Sequence, residues 1–366
     1  MVLQTSGPIS LSDVEGEFQG TAPTAIDEYY RGGLYVPDTT ANASIPQSGT
    51  IDLGDFYGGD DTPATTDLYF FNSHTFTACG VQGKTGPTLA QCQTAYTGQA
   101  FLTSHFSVSN GIQQWIVPST ASYTFKIRGG HGGAAKPNYN TQGSAGGEGA
   151  YLEFDIDLNK GDLLKLVVGQ APTYGVNPGG GGGSWVVYYN SDTQTDILVA
   201  VAGGGGGGGT SGSYYTAADQ GGQSGTTGGT GRHSSSYIGS NGGSNGNGGE
   251  SAGGWNGSGG GGGWGGDGVE VWFTSGGNGS SQPQYANRNG KGWSNGLEGG
   301  TRRAYGSYDN EDGGFGGGGA GGIHPYPGYG GGGGGYSGGG GGWWNGRPCE
   351  GGGGGSFVIN AATNVT

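Results

Sequence analysis

Positive charge is scarce in this chain. Lys and Arg total 13 of 366 residues against 27 Asp and Glu, giving a formal net charge of −14. Nucleic-acid binding needs basic patches that neutralise phosphates, and anionic membranes attract basic clusters; neither partner is expected. No apolar run approaches the ~20 residues of a membrane-spanning helix. The first twelve residues lack the basic stretch and apolar core of a secretory signal. Synthesis in a host cytoplasm without membrane insertion is therefore expected, with any outside role following release by another route. Cysteine (3) and methionine (1) are nearly absent. No long stretch carries helical periodicity, which argues against a helical bundle. The five histidines, His74, His105, His131, His233 and His324, lie far apart without metal-ligand spacing.

Glycine fills what is missing. It supplies 96 residues, of which 66 lie between Gly203 and Gly355, in runs such as Gly203 to Gly209, Gly330 to Gly335 and Gly351 to Gly355. Such a stretch is either disordered, because it buries too little apolar surface, or packed backbone against backbone, which only glycine permits. There is no Gly-X-Y period, so collagen is excluded. Aromatic residues punctuate the runs, among them Trp255, Trp264, Trp272, Trp293, Phe315, Tyr336, Trp343 and Trp344. Disordered linkers are depleted in such residues. The expectation is a bundle of polyglycine II helices with three residues per turn and a rise of ~3.1 Å per residue. Glycine keeps the N–H that proline lacks, so neighbouring helices can exchange N–H···O=C bonds.

Three parts follow. Residues 1–60 contain a repeat at an offset of 42, Ser6-Gly7-Pro8-Ile9-Ser10-Leu11-Ser12-Asp13 against Ser48-Gly49-Thr50-Ile51-Asp52-Leu53-Gly54-Asp55. Alternation of Ile and Leu with polar residues predicts a short strand in each copy, followed by an Asp-led turn. Thr24 to Tyr30 is expected to open a short helix capped by Thr24. Alone, this part is too small for much of a core and is expected to dock or oligomerise. After a linker (61–66), residues 67–202 with 356–366 predict β structure. Its strand candidates are Leu68 to Phe71, Phe101 to Val108, Gln113 to Val117, Ser122 to Ile127, Ala150 to Ile156, Leu163 to Val168, Ser184 to Tyr189, Ile197 to Val201 and Ser356 to Ile359. Short strands parted by turn residues suggest an all-β sandwich or jelly roll. Residues 203–355 form the glycine part.

Two resemblances rest on quoted motifs. The Ser-Gly-Pro-Ile-Ser-Leu-Ser-Asp opening, Glu28-Tyr29-Tyr30-Arg31-Gly32-Gly33, and Ile45-Pro46 with Asp55-Phe56-Tyr57-Gly58 resemble N-terminal segments of phage virion and tail-associated proteins. That implies attachment to other virion proteins, with Ile9, Leu11, Phe18, Tyr29, Tyr30, Ile51, Leu53 and Phe56 as candidate contacts. A small lid on the next domain is the plainer alternative. The second resemblance runs from Cys79-Gly80-Val81-Gln82-Gly83-Lys84-Thr85-Gly86-Pro87 to Cys92, and continues through Gly111 to Pro118, Leu164 to Gln170, Leu198 to Ala202 and Gly351 to Phe357. In this order the motifs resemble the glycine-rich domain of anaplastic lymphoma kinase and leukocyte tyrosine kinase receptors, over about Asp67 to Thr366. The resemblance implies a TNF-like jelly roll with polyglycine helices inserted between its strands, and pairing of Cys79 with Cys92. Two free buried thiols remain the alternative, and Cys349 is left over. The receptors' kinase, membrane span and ligands do not carry over.

Catalytic patterns are weak. Gly-x-Gly-x-x-Gly is expected by chance here and never sits between a strand and a helix. Gly83-Lys84-Thr85 lacks the P-loop's first glycine, that position being Ala78. Asp60-Asp61, Asp155 with Asp157, and Asp309 with Glu311 and Asp312 offer cation ligands, but solvated loop charge accounts for them as well. No enzyme activity and no cofactor are expected.

The segments between glycine runs are the recognition candidates: His233, Tyr237, Trp272, Phe273, Tyr285, Arg288, Arg302, Tyr305, Tyr308, His324, Tyr326 and Tyr329. Aromatic, Asn and Arg residues on rigid loops give large contact area at small entropic cost. Alternatively these rings only cap the glycine layer. The whole reads as a phage tail-fibre or adhesin-like virion protein that binds a host cell-surface glycan or outer-membrane protein, as a monomer or a homo-oligomer. A non-binding structural decoration protein and a glycan-active enzyme are the rival readings.

Overall fold

The computed structural model describes residues 2–20, 25–33, 35–39, 41–61, 67–135, 143–172, 177–209, 219–231, 240–252, 257–270, 287–302, 311–322, 329–342 and 350–366. Runs of β-branched and aromatic residues form eight strands: β1 (Phe106–Ser109), β2 (Ile112–Ile116), β3 (Ala121–Arg128), β4 (Tyr151–Leu158), β5 (Leu163–Val167), β6 (Ser184–Asn190), β7 (Thr195–Ala202) and β8 (Phe357–Val358). Six make an antiparallel sheet in the order β1-β2-β5-β6-β7-β8; β3 and β4 make a second. Register places Trp115 opposite Leu164 and Leu166 opposite Val186. Trp115, Leu164, Leu166, Val186 and Val199 of the larger sheet share one core with Phe154 and Leu158 of β4. Tyr123, Phe125 and Ile127 of β3 pack against it, so the alternation in β3 does turn one face inward. The fold is mainly antiparallel strand with few helices.

Some expected strands are absent. Residues 68–71 form no strand, and the Phe101 to Val108 candidate is a 3₁₀ turn (Ala100–Leu102) before β1 begins. A further helix, α2 (Leu89–Ala95), starts inside the Cys79 to Cys92 loop and runs past Cys92, with Thr88 and Gln91 closing a capping box. Both repeat copies are also corrected from strand to helix start. Copy one opens α1 (Leu11–Phe18): the Asp13 N–H donates to Ser10, and the Ser10 N–H donates back to Asp13 at 2.8 Å. Copy two opens a 3₁₀ turn (Leu53–Phe56), with Asp52 and Asp55 in the same roles. Ser-x-x-Asp and Asp-x-x-Asp are capping boxes in the sense of Ser/Thr-x-x-Glu, and reciprocal satisfaction of end N–H groups outweighs an alternation only four residues long. The copies share a second device. Gly7 and Gly49 both hold positive φ, 98° and 92°, and each carbonyl accepts a tyrosine hydroxyl, from Tyr57 and Tyr30 respectively.

The first part is not short of a core. Leu3, Val14, Phe18, Tyr29, Val36, Ile45 and Phe56 are buried together, with ring centroids of Phe18, Tyr29 and Phe56 within 6.2–6.4 Å of one another. Its ends pair through a Val2–Asp60 bridge, and Asn42 ties Asp60 to the middle of the segment, donating to Pro37 and Asp60.

In the larger core, His74 packs edge-on against Phe76, Tyr96 and Phe101 at 4.5–4.9 Å. Its Nε2 has no hydrogen-bond partner among the described residues. Burial holds its pKa down, to about 4. The unfolded chain therefore takes up this proton near pH 6.5, well before the folded one does. Stability from this site is complete above pH 6.5 and falls as pH drops towards 4, by at most about 1.4 kcal/mol per pH unit. Urea titrations at pH 8 and pH 5 should show a loss in the parent that is smaller in His74→Phe.

The glycine runs continue the strands. β3, β5 and β7 end, and β4, β6 and β8 begin, at one edge of the two sheets; each leads directly into or out of a glycine-containing segment. Past that edge the hydrogen bonding changes. Along a strand, N–H groups point alternately to two neighbours in a plane. Along Gly331 to Tyr336 they visit three neighbours in rotation. Gly331 and Gly334 donate to Pro178 and Gly181, Gly332 and Gly335 to Gly259 and Gly262, and Gly333 and Tyr336 to Gly352 and Gly355, all at 2.8–3.2 Å. The same step of three recurs from Gly204 and Gly207 to Gly334 and Gly331, and from Gly205 and Gly208 to Gly130 and Gly133. The runs are buried, with no room for side chains. A Cβ at Gly182 would fall 1.8 Å from the Phe315 carbonyl oxygen, and one at Gly339 2.1 Å from that of Gly352.

Among the described residues no helix is long and apolar enough to cross a membrane.

Candidate functional site

The glycine block has two unlike ends. At the end against the sheets lie described turns, including Trp264 to Gly266, Trp293 to Gly296 and Tyr336 to Ser337. There Trp185, Val187, Val201, Leu297 and Phe315 form a small core with Trp264, Trp293 and Tyr336 against it. The other end gathers the flanks of nine undescribed segments: 136–142, 173–176, 210–218, 232–239, 253–256, 271–286, 303–310, 323–328 and 343–349.

Hydrogen bonds hold these flanks together. Ser144 donates to Gly209, Glu311 to Asn177, Gly322 to Tyr329, Gly231 to Ser240, and Ala252 to Ser258, each backbone to backbone at 2.7–3.1 Å. The Ser258 hydroxyl donates to the Gly342 carbonyl at 2.8 Å. The arrangement follows from parity. Runs that leave antiparallel strands at one edge all point the same way, so the chain between them must turn at the far end. The described flanks of all nine segments therefore lie at that end.

Of the recognition candidates, His233, Tyr237, Trp272, Phe273, Tyr285, Tyr305, Tyr308, His324 and Tyr326 lie outside the described residues. Arg302 is exposed at the far end, its N–H donating to Asp312. Arg288 and Tyr329 are corrected: they are 2% and 1% exposed, so neither presents a contact surface. Arg288 instead pairs with Glu270 at 3.1 Å and donates to the Gly257 carbonyl, joining the flanks of two undescribed segments. The buried guanidinium is matched by these two acceptors, which offset the cost of taking its charge out of water.

Of the attachment candidates, Phe18, Tyr29 and Phe56 are core residues of the first part and are withdrawn as contacts. Ile9, Leu11, Tyr30, Ile51 and Leu53 are half-buried. Glu17, Asp60 and Asp61 bring carboxylate oxygens within 4.8 Å of one another, and burial raises the Glu17 pKa. Asp155 accepts from Thr124 and Asn364, which lower its pKa.

Cys79 and Cys92 form a disulfide, with Cys92 wholly buried. The loop it closes grips the glycine block. Phe315 N–H donates to Gly83 O, Gly299 N–H to Lys84 O, Gln82 Nε2 to Pro172 O, and Lys84 Nζ to Thr301 Oγ1, at 2.6–3.0 Å. Beside the Gly292 to Asn295 turn, Asp267 is buried enough to raise its pKa. The Gly292 N–H, the Asn295 amide and Lys291 outweigh that burial and hold it below the usual carboxylate range.

No family model matches the chain. A stretch of 97 residues is 32% identical to the leukocyte tyrosine kinase receptor of Mus musculus, covering 26% of this chain and 10% of the receptor. The likeness is partial, shorter than the span from Asp67 to Thr366 on which the motifs were read. The matched stretch spans about a tenth of that receptor's length.

Proposed function

We propose that this chain is a virion-attached, non-enzymatic adhesin of a bacteriophage, which presents the far end of its glycine block to the host surface. In this reading the runs are polyglycine II helices, the two sheets form a jelly roll, and residues 1–60 hold the protein on other virion components through Ile9, Leu11, Tyr30, Ile51 and Leu53. The observation that carries it is the convergence of the flanks of nine segments on one end of a glycine-rich block. Several of these are rich in aromatic and polar residues, such as Trp272-Phe273 and His324-Pro325-Tyr326. The three-way rotation of hydrogen bonds supports the polyglycine geometry, because N–H groups one third of a turn apart reach three neighbours. A block so bonded loses little entropy when its loops engage a ligand, which favours affinity.

The test is adsorption competition with the purified full chain. Saturable binding to host cells that blocks phage adsorption is expected, and Tyr326→Ala should weaken it by 10-fold or more, the scale of an aromatic contact worth ~1.4 kcal/mol or more. Absence of binding with the fold intact, on multivalent display as well as in solution, would replace this reading with structural decoration of the virion.

A further inference from the structure

We propose that the junction between the disulfide loop and the glycine block is a binding site for a neutral oligosaccharide. It lies on the flank of the molecule, away from the far end, and does not depend on the preceding reading. A groove of about 560 Å³ opens there between Thr85 to Leu89, the β1–β2 turn and Asn295 to Glu298, within the size range of small-ligand clefts. Its floor is flat. Gly86 and Gly111 touch backbone to backbone, so that a Cβ on either would come within 2.5 Å of the other's Cα, and both lie on the Phe315 ring. Its walls carry hydroxyl and amide groups: Thr85, Thr88, Asn110 and Asn295 are exposed. Leu89, 38% exposed, supplies an apolar edge.

Beyond the residues that line the groove, two positions before Asn295, lies an aromatic pair. Trp293 and Trp264 are half-buried, with centroids 5.4 Å apart. Both lean on the buried Trp185, at 5.7 and 6.3 Å. Trp293 is fixed by its indole N–H, which donates to Asp196 at 2.9 Å. At the rim, a Cβ at Gly296 would meet no atom of the described residues within 4 Å. Rigid rings beside amides and hydroxyls match a pyranose, whose C–H faces are apolar and whose edges donate and accept hydrogen bonds. The charge at the site selects among sugars. The acid that lines the groove, Glu298, is beside Lys84 at 3.5 Å, and by the aromatic pair Asp196 is beside Lys165 at 2.6 Å. The groove thus offers an acidic sugar no surplus positive charge, on a chain of net charge −14.

The experiment is affinity electrophoresis of the full chain through dextran, galactomannan and mixed-linkage β-glucan, with alginate and polygalacturonate as acidic counterparts and tryptophan emission as a second readout. Retardation by at least one neutral polymer is expected, with a shift in emission. Trp264→Ala and Thr85→Arg should each weaken it by 10-fold or more. Trp264 also packs on Trp185, so Thr85→Arg, at an exposed wall position, separates loss of binding from loss of fold. Retardation by no neutral polymer, by acidic polymers alone, or unchanged in Thr85→Arg would overturn the proposal. None of these outcomes bears on adsorption through the far end.

Discussion

Replacing Gly339 or Gly182 by alanine is expected to unfold the glycine block or destabilise it by more than about 4 kcal/mol, the range reserved for gross steric conflict. At Gly339 the added methyl would lie 2.1 Å from the Gly352 oxygen and 2.6 Å from its carbonyl carbon. At Gly182 it would lie 1.8 Å from the Phe315 oxygen. These obstacles are backbone, so no rotamer change relieves them. The neighbours cannot retreat without breaking bonds to a third run, because each run is shared among several partners. Gly225 and Gly266 are the controls: an added Cβ meets nothing within 4 Å at either, and neither has positive φ. There alanine should be neutral or stabilise by up to about 1 kcal/mol through the unfolded state. Urea unfolding followed by tryptophan emission distinguishes the two classes. Equal effects at Gly339 and Gly266 would mean that the runs are not in backbone contact.

Reduction of Cys79–Cys92, or replacement of both by serine, is the second large expected effect. The bond closes a loop with a sequence separation of 13, for which chain entropy alone predicts roughly 3 kcal/mol. At 2–4 °C per kcal/mol this is a fall of roughly 6–12 °C in unfolding midpoint. The loss should spread further than the loop. Gly83 and Lys84 hold Phe315, Gly299 and Thr301 of the glycine part, Gln82 holds Pro172 after β5, and Cys92 and Cys79 anchor the same loop in the sheet core. Reduced protein should therefore show faster amide exchange at Gly299 and Phe315 as well as in the loop. A fall in midpoint without that change would mean that the grip is independent of the disulfide.

Much of the β structure was legible in the sequence because it is local. Tyr123, Phe125 and Ile127 alternate with polar residues and face the core, and β5 to β7 begin and end within two residues of the expected bounds. The helices were missed where a capping box competed with a short alternation, at Ser10 to Asp13 and Asp52 to Asp55, and where the loop signal around Thr88 hid another. The candidate site was legible only in part. Composition marked the segments between glycine runs as distinct. Their convergence on one end depends on strand parity and on hydrogen bonds such as Glu311 to Asn177, 134 positions apart, which no local window contains. The burial of Arg288 and Tyr329 is non-local for the same reason: neighbouring runs, not adjacent sequence, cover them.

The central claim is that the glycine block is a cooperative, hydrogen-bonded scaffold rather than a linker. Residue-level hydrogen exchange on the full chain tests it most directly. The amides of Gly331 to Gly335, each bonded to a different run from its neighbours, should be as protected as those of β5 to β7 and should open with them. Exchange of these amides at the rate of an unstructured glycine peptide, while the strands stay protected, would contradict the account.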